Sequence, residues 1–409
     1  MLLLLAASLS RGHSGVRPAV VDGVVAMLNA GVTPVVPEVG SVGASGDLAP
    51  LAHAALVLIG EGQALGPDGG APIPGAEALR KAGLKPIALG AKEGLALING
   101  THLMASRAAL ILTDVERVFD AALVATAMSI DAARGTDAAL DERAHAIRRQ
   151  PGQMRVAARL RNMLASSEIV RSHVTNDPRV QDPYSFRCSP QALGAALDAI
   201  EYVRGAVEHE LDAVTDNPLV FETDEPEVRT VVSAGNFHGL PLALPLDTLA
   251  IALVPIAGMA ERRVFNLLAA SDPEAQLRPH LSPSPGLHSG LMITQYTAAA
   301  CVNEMIGLAT PASVSNIPTC AGMEDYNSFG PRSAAKARRS VELCARVIAI
   351  EMICAAEGIE YHRPLKSGEV VERAHALIRT VAPRLVADRP PSPDIEAVAR
   401  LIFQGRFGE

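Results

Sequence analysis

Residues 40–53, GSVGASGDLAPLAH, place three small residues directly before an apolar run. The run at 48–59 carries a helix-start signal: Asp47 is placed to cap it, and Pro50 falls in the first turn, where a missing N–H costs little. Ala44, Ser45 and Gly46 therefore stand at the positive end of a helix. Residues this small let the backbone fold sharply enough for the Gly46 nitrogen to attack the Ala44 carbonyl. Loss of water there and at Ser45 leaves a five-membered ring bearing a methylidene group, an electrophile that no coded side chain supplies. Glycine suits the nucleophile's place because no Cβ blocks close approach. On the bare tripeptide the plainer reading, a flexible loop capping a helix, prevails, since Ala-Ser-Gly recurs by chance in alanine-rich chains.

The fourteen-residue context is far more specific. It resembles the signature of the histidine/phenylalanine/tyrosine ammonia-lyase family, whose members form 4-methylidene-imidazol-5-one (MIO) from this tripeptide. The resemblance runs from about residue 5 to the C-terminus. It implies a mainly α fold, a long-helix bundle of the fumarase/aspartase-like ammonia-lyase type with few short strands. It also implies non-oxidative deamination of an aromatic L-amino acid, with L-histidine to trans-urocanate and ammonia as the leading expectation. A homotetramer whose sites draw on several subunits follows from the same resemblance.

Composition agrees with a helical body. Hydrophobic residues make up 49% of the 409, aromatics only 3%, and tryptophan is absent, so helices rich in alanine and leucine should pack closely with few bulky plugs. A net charge of −8 without a long basic block argues against a nucleic-acid surface. Five cysteines without CxxC spacing give neither a zinc site nor a disulfide framework and fit a reducing, cytoplasmic setting. The opening MLLLLAASLS lacks a basic leader and reads as the last turns of a buried helix. Residues 239–260 approach the length of a bilayer span, but three prolines and Asp247 make a helix buried in a bundle the better reading, so no membrane is expected.

Along the chain, helices are expected at 16–30 (starting near Pro18), 91–99, 101–134, 137–150, 154–167, 191–214, 239–268, 288–308 and 332–357, with two more in 366–403 split by Pro390-Pro391. Residues 60–75 read as a loop or small hairpin and 217–232 as an exposed hairpin, while 168–190 shows no clear period. As one lyase body, 1–409 divides into a prosthetic-group region at 1–60, a central bundle at 91–360 and C-terminal helices at 361–409.

Non-oxidative deamination needs an electrophile, a positioned base, a cationic clamp for the carboxylate and donors around the reacting group. Asn99, in ALINGT, reads on its own as a helix cap; by resemblance it faces the carbonyl of the prosthetic group. VQDPYSFRC, 180–188, is the second strong motif. By itself it allows plain surface residues. The resemblance makes Arg187 the carboxylate partner, for which its planar fork is well shaped, Tyr184 a donor near the prosthetic group, and Gln181 a pocket residue. Asn236, in SAGNFHG, is carried over to the carboxylate or the prosthetic group, with Phe237 and His238 supporting it. Glu304, on an otherwise uncharged helix face, corresponds by resemblance to a glutamate facing the imidazole in the histidine-specific branch; alone it reads as a paired structural residue. Residues 322–330, GMEDYNSFG, depart from the Gln-Glu-Asp-His-Val-Ser-Met-Gly pattern of typical histidine lyases.

The family carries a further tyrosine-bearing, glycine-rich loop and a ring-selecting stretch before the region matched here. Neither occurs in these 409 residues, so impaired turnover is expected of the chain as given. The alternatives are a phenylalanine or tyrosine ammonia-lyase, an aminomutase, or a scaffold or split-enzyme half without catalysis of its own.

Overall fold

The computed structural model describes residues 1–65, 69–175, 177–225 and 230–408. Helices dominate, and among the described residues the strands form two small antiparallel sheets. The chain divides into two compact units, each assembled from three separate segments. Of the divisions expected from sequence, 1–60 lies within the first unit and 361–409 within the second, while 91–360 is shared between the two.

The first unit takes Met1–Leu110, Val203–Asp247 and Pro311–Lys336. Leu2–Ser10 buries Leu5 and Leu9 against Val20, Val24 and Met27 of Pro18–Asn29, an apolar set that extends to Leu51 and Val57 of Leu48–Leu58. A three-stranded sheet pairs Thr33 with Leu65 and Gln63 with Pro74, so residues 60–75 contain the expected hairpin, apart from 66–68, which lie outside the described residues. Leu219 pairs with Val232 in the second hairpin, whose 226–229 are likewise outside them. Sequence periodicity did not signal the short helix Gly75–Lys81. One buried ion pair braces this unit: Lys336 Nζ lies 2.8 Å from Asp247 Oδ1, and Asp247 Oδ2 accepts the N–H groups of Ala312 and Ser313.

The second unit takes Ile111–Tyr202, Thr248–Thr310 and Ala337–Glu409. Val115, Ala122, Leu253, Ile256, Val347 and Ile350 are all buried in its core, where the high alanine content lets helix axes approach closely. The helix expected over 137–150 is divided. Asp141 accepts from Arg143 N at 2.8 Å and starts a new helix, Glu142–Arg148, after a tight turn at Ala138–Leu140. The aperiodic stretch 168–190 holds two one-turn helices, Glu168–Arg171 and Tyr184–Arg187. Leu240–Ala269 is long and apolar enough to cross a membrane, yet 61% of its most apolar window is buried, and Asp247 and Arg263 along it are both in buried ion pairs. It behaves as a core helix.

Candidate functional site

Two clusters contain most of the expected site residues. In the first unit, Ala44-Ser45-Gly46 forms a turn just before Leu48–Leu58, with Ala44 and Gly46 buried. Gly46 has φ +74° and bridges to Gly100, and a Cβ built on it would lie 2.1 Å from the Gly100 carbonyl oxygen. Gly100 holds both flanks of Gly46: its carbonyl accepts from Asp47 N at 2.7 Å, and its N–H donates to the Ser45 carbonyl at 3.3 Å. No side chain other than hydrogen fits at 46 in this backbone. Upstream, Gly43 (φ +71°) lets Ser328 Oγ approach and donate to the Gly43 carbonyl at 3.2 Å, while Phe329 N donates to Val42 O at 2.9 Å.

Asp47 corrects the sequence reading. It stands at the N-cap position of Leu48–Leu58, but its side chain makes no capping bond there. Instead Oδ2 accepts from Leu103 N at 2.9 Å and Met104 N at 3.0 Å, capping the long helix His102–Ala132. Burial pushes the Asp47 carboxyl up to about 7 against the pull of those two bonds. Beside it, both ring nitrogens of buried His102 lack a partner among the described residues, and burial lowers the ring to about 4, so it is neutral at pH 7. Asn99 is buried, with an unpartnered side-chain oxygen. Asn236 is exposed and donates to Val214 O at 3.3 Å; the next residue, Thr215, accepts from Thr101 N at 3.2 Å. A run of contacts thus leads from Asn236 to Gly100. His102, Gly100 and the true partner of Asp47 escaped the sequence reading, though an Asn-Gly-Thr-His run at a helix start was a signal for them.

The second unit carries Gln181, Tyr184 and Arg187 on one short segment. Arg187 lies 4.5 Å over the Tyr184 ring and donates from Nε to Asp182 O at 3.0 Å. Among the described residues nothing pairs with its two terminal nitrogens, which leaves a fork open for a carboxylate. Gln181 and Tyr184 are exposed. Gln181 and buried Asp182, whose carboxyl burial raises, line a cavity of about 400 Å³ with His173 and Arg179.

Glu304 also lies in the second unit and is paired, as its reading from the residues alone had it. Half exposed, it takes Arg339 Nε at 2.7 Å and Nη2 at 3.1 Å, and that pairing lowers its carboxyl. Glu324, by contrast, belongs to the unit that holds the tripeptide and accepts from Thr319 Oγ1 at 2.7 Å. Among the described residues no group of three or more His, Cys, Asp or Glu side chains is placed to hold a metal ion.

Comparison with known proteins decides the family. The profile described as "Aromatic amino acid lyase" matches residues 1–380. The chain belongs to the aromatic amino acid lyase family. Histidine ammonia-lyase of Anaeromyxobacter dehalogenans is 48% identical over 411 residues, covering 99% of this chain and 80% of the relative. That of Koribacter versatilis is 47% identical over 415 residues, with 100% and 80% covered. Among solved structures, histidine ammonia-lyase from Trypanosoma cruzi superposes with a TM-score of 0.91 at 40% identity over 99% of this chain and 75% of that one. A tyrosine aminomutase from Streptomyces globisporus reaches the same TM-score, 0.91, at 33% identity over 99% and 79%. The fold is thus the helical ammonia-lyase fold of this family.

Proposed function

We propose that the protein is an ammonia-lyase that converts L-histidine to trans-urocanate and ammonia, using MIO formed from Ala44, Ser45 and Gly46. The observation that carries this reading is the turn itself: Gly46 is held in left-handed backbone, with Gly100 hydrogen-bonded on both flanks and no room for a Cβ. The residues present fit such a group. The tripeptide lies next to a helix N-terminus, and Asn99 offers a buried side-chain amide whose oxygen lacks a partner. Once formed, MIO supplies an electrophilic carbon. Asn99 and Asn236 would hold it in the first unit. On the second unit's segment, by the resemblance, Arg187 is the partner of the substrate carboxylate through its open fork, Tyr184 a hydroxyl donor and Gln181 a pocket residue.

For recognition of the imidazole, Glu304 is the candidate by resemblance; its pairing with Arg339 weighs against it, and Glu324 is the competing acid. Glu304→Gln and Glu324→Gln separate the two, because only the ring-facing acid should shift preference from histidine toward phenylalanine. The departure at residues 322–330 and the aminomutase likeness support a second reading, an aminomutase acting on tyrosine or phenylalanine.

A homotetramer is proposed as well. Leu244, Ile251 and Phe265, at multiples of seven residues along Leu240–Ala269, each stay about half exposed, as do Ile293 and Tyr296 on Met292–Leu308. Helix faces of this kind pack against other helices. Sedimentation would report the assembly; a monomer at micromolar concentration would sink it. The free cysteines suit a cytoplasmic setting. Intact mass is the decisive test of the main reading. The chain should be lighter by two waters, Ser45→Ala should restore the full mass, and an unmodified wild type would end the proposal.

A further inference from the structure

Tyr184–Arg187 is four residues long, too short to hold its own shape, and Tyr184 projects into solvent. What fixes this turn comes from helices packed behind it. The Ser185 carbonyl accepts from Arg263 Nη1 at 3.0 Å and from Ser189 Oγ at 3.0 Å. Ser185 Oγ accepts from Asn266 Nδ2 at 3.2 Å. Arg263 and Asn266 are three residues apart on Leu240–Ala269 and so share a helix face.

Arg263 is fully buried. Glu351, equally buried, takes its Nε and, at 2.9 Å, its Nη2, while Ser129 Oγ donates to the same carboxylate at 2.7 Å. The bidentate pair fixes the guanidinium plane, and the remaining nitrogen, Nη1, points at Ser185. A buried pair serving stability alone is often replaceable by apolar side chains. This one directs its spare donor into the segment that carries Arg187.

We propose that Arg263, oriented by Glu351 and assisted by Asn266, is a positioning residue for the substrate carboxylate: it fixes the Tyr184–Arg187 turn so that the open fork of Arg187 is preset. The proposal rests on the reading of Arg187 as the carboxylate clamp. Arg263 never touches substrate; its effect passes through the Ser185 carbonyl.

The test uses the purified full chain and two probes, urocanate, which carries a carboxylate, and histamine, which does not. Asn266→Ala and Ser185→Ala leave the buried ion pair intact, so the fold survives them. Each should weaken urocanate binding about 3–10-fold, the double variant should be no worse than the more affected single one, and histamine binding should stay as in the wild type. Arg263→Lys, which keeps the charge and loses the fork, should do the same more strongly. Unchanged urocanate affinity in all three variants overturns the proposal, as does parallel weakening of both probes, the mark of general loosening. Arg187→Lys separates the two layers. If it weakens urocanate and the other variants do not, only the positioning role falls; if it leaves urocanate binding unmoved, the clamp reading falls and takes this one with it.

Discussion

The turn at Ala44–Gly46 and the turn at Tyr184–Arg187 are held by different physics. Around Gly46 the restraint is backbone against backbone: Gly100 bonds to both flanks, and its carbonyl oxygen fills the space a side chain would need. Around Arg187 the restraint is side chains reaching in from Leu240–Ala269, with a buried ion pair behind them. The first arrangement tolerates no added atom. The second has slack, since each of its bonds can be lost singly while the others persist. A strained backbone able to react needs the first kind of restraint, whereas a clamp on a charged substrate needs only aim.

The sharpest way to break that contrast is Gly46→Ala. A Cβ there meets the Gly100 oxygen at 2.1 Å, and left-handed backbone adds a cost of about 1–2 kcal/mol for a residue with a side chain. The expected outcome is complete loss of the two-water mass change. An alanine variant that still shows the change would mean the turn is not the restraint described. Next in size is Arg187→Met. Removing a bidentate, charge-assisted contact worth about 1.5–3 kcal/mol should weaken urocanate binding roughly 10–100-fold and leave the mass change untouched. Loss of the mass change in that variant would show that the two turns are not independent.

The same contrast explains what the sequence made legible. At the first turn, fit is set by residue size, and size is written in the letters Gly-Ala-Ser-Gly and Asn-Gly-Thr. Most long helices were equally readable, because caps, prolines and period mark them locally; Pro18–Asn29, Leu240–Ala269 and Ser392–Phe403 begin or end within a few residues of expectation. Long-range pairings were not readable. Nothing near Asp47 says that its carboxylate caps a helix more than fifty residues away, and nothing near Arg263 announces Ser185. Glu304 shows the same limit: its residue type and place suggested a paired carboxylate, but nothing near it named Arg339, which lies on a different helix. The two interleaved units, each of three segments, likewise follow from contacts distant in sequence.

The smallest expected effect is also the most discriminating for the first cluster. Burial raises Asp47 to about 7, so the folded chain holds a proton that the unfolded chain releases near 3.8; this group therefore makes stability fall as pH rises from about 4 to 7. Burial lowers His102 from 6.5 to about 4, so the unfolded chain takes a proton that the folded chain refuses, and stability falls as pH drops from 6.5 toward 4. The windows overlap and the slopes oppose, each at most about 1.4 kcal/mol per pH unit. In the wild type they largely cancel. His102→Gln should expose the Asp47 slope, with melting temperature falling as pH rises across 4–6.5; Asp47→Asn should expose the His102 slope, with the opposite trend. Buried Asp131, raised to about 6, adds a background common to all three proteins, so the difference between the variants is the quantity to measure. Parallel pH profiles for the two variants would mean that water or another partner reaches this cluster and that its backbone restraint is less closed than the packing around Gly100 indicates.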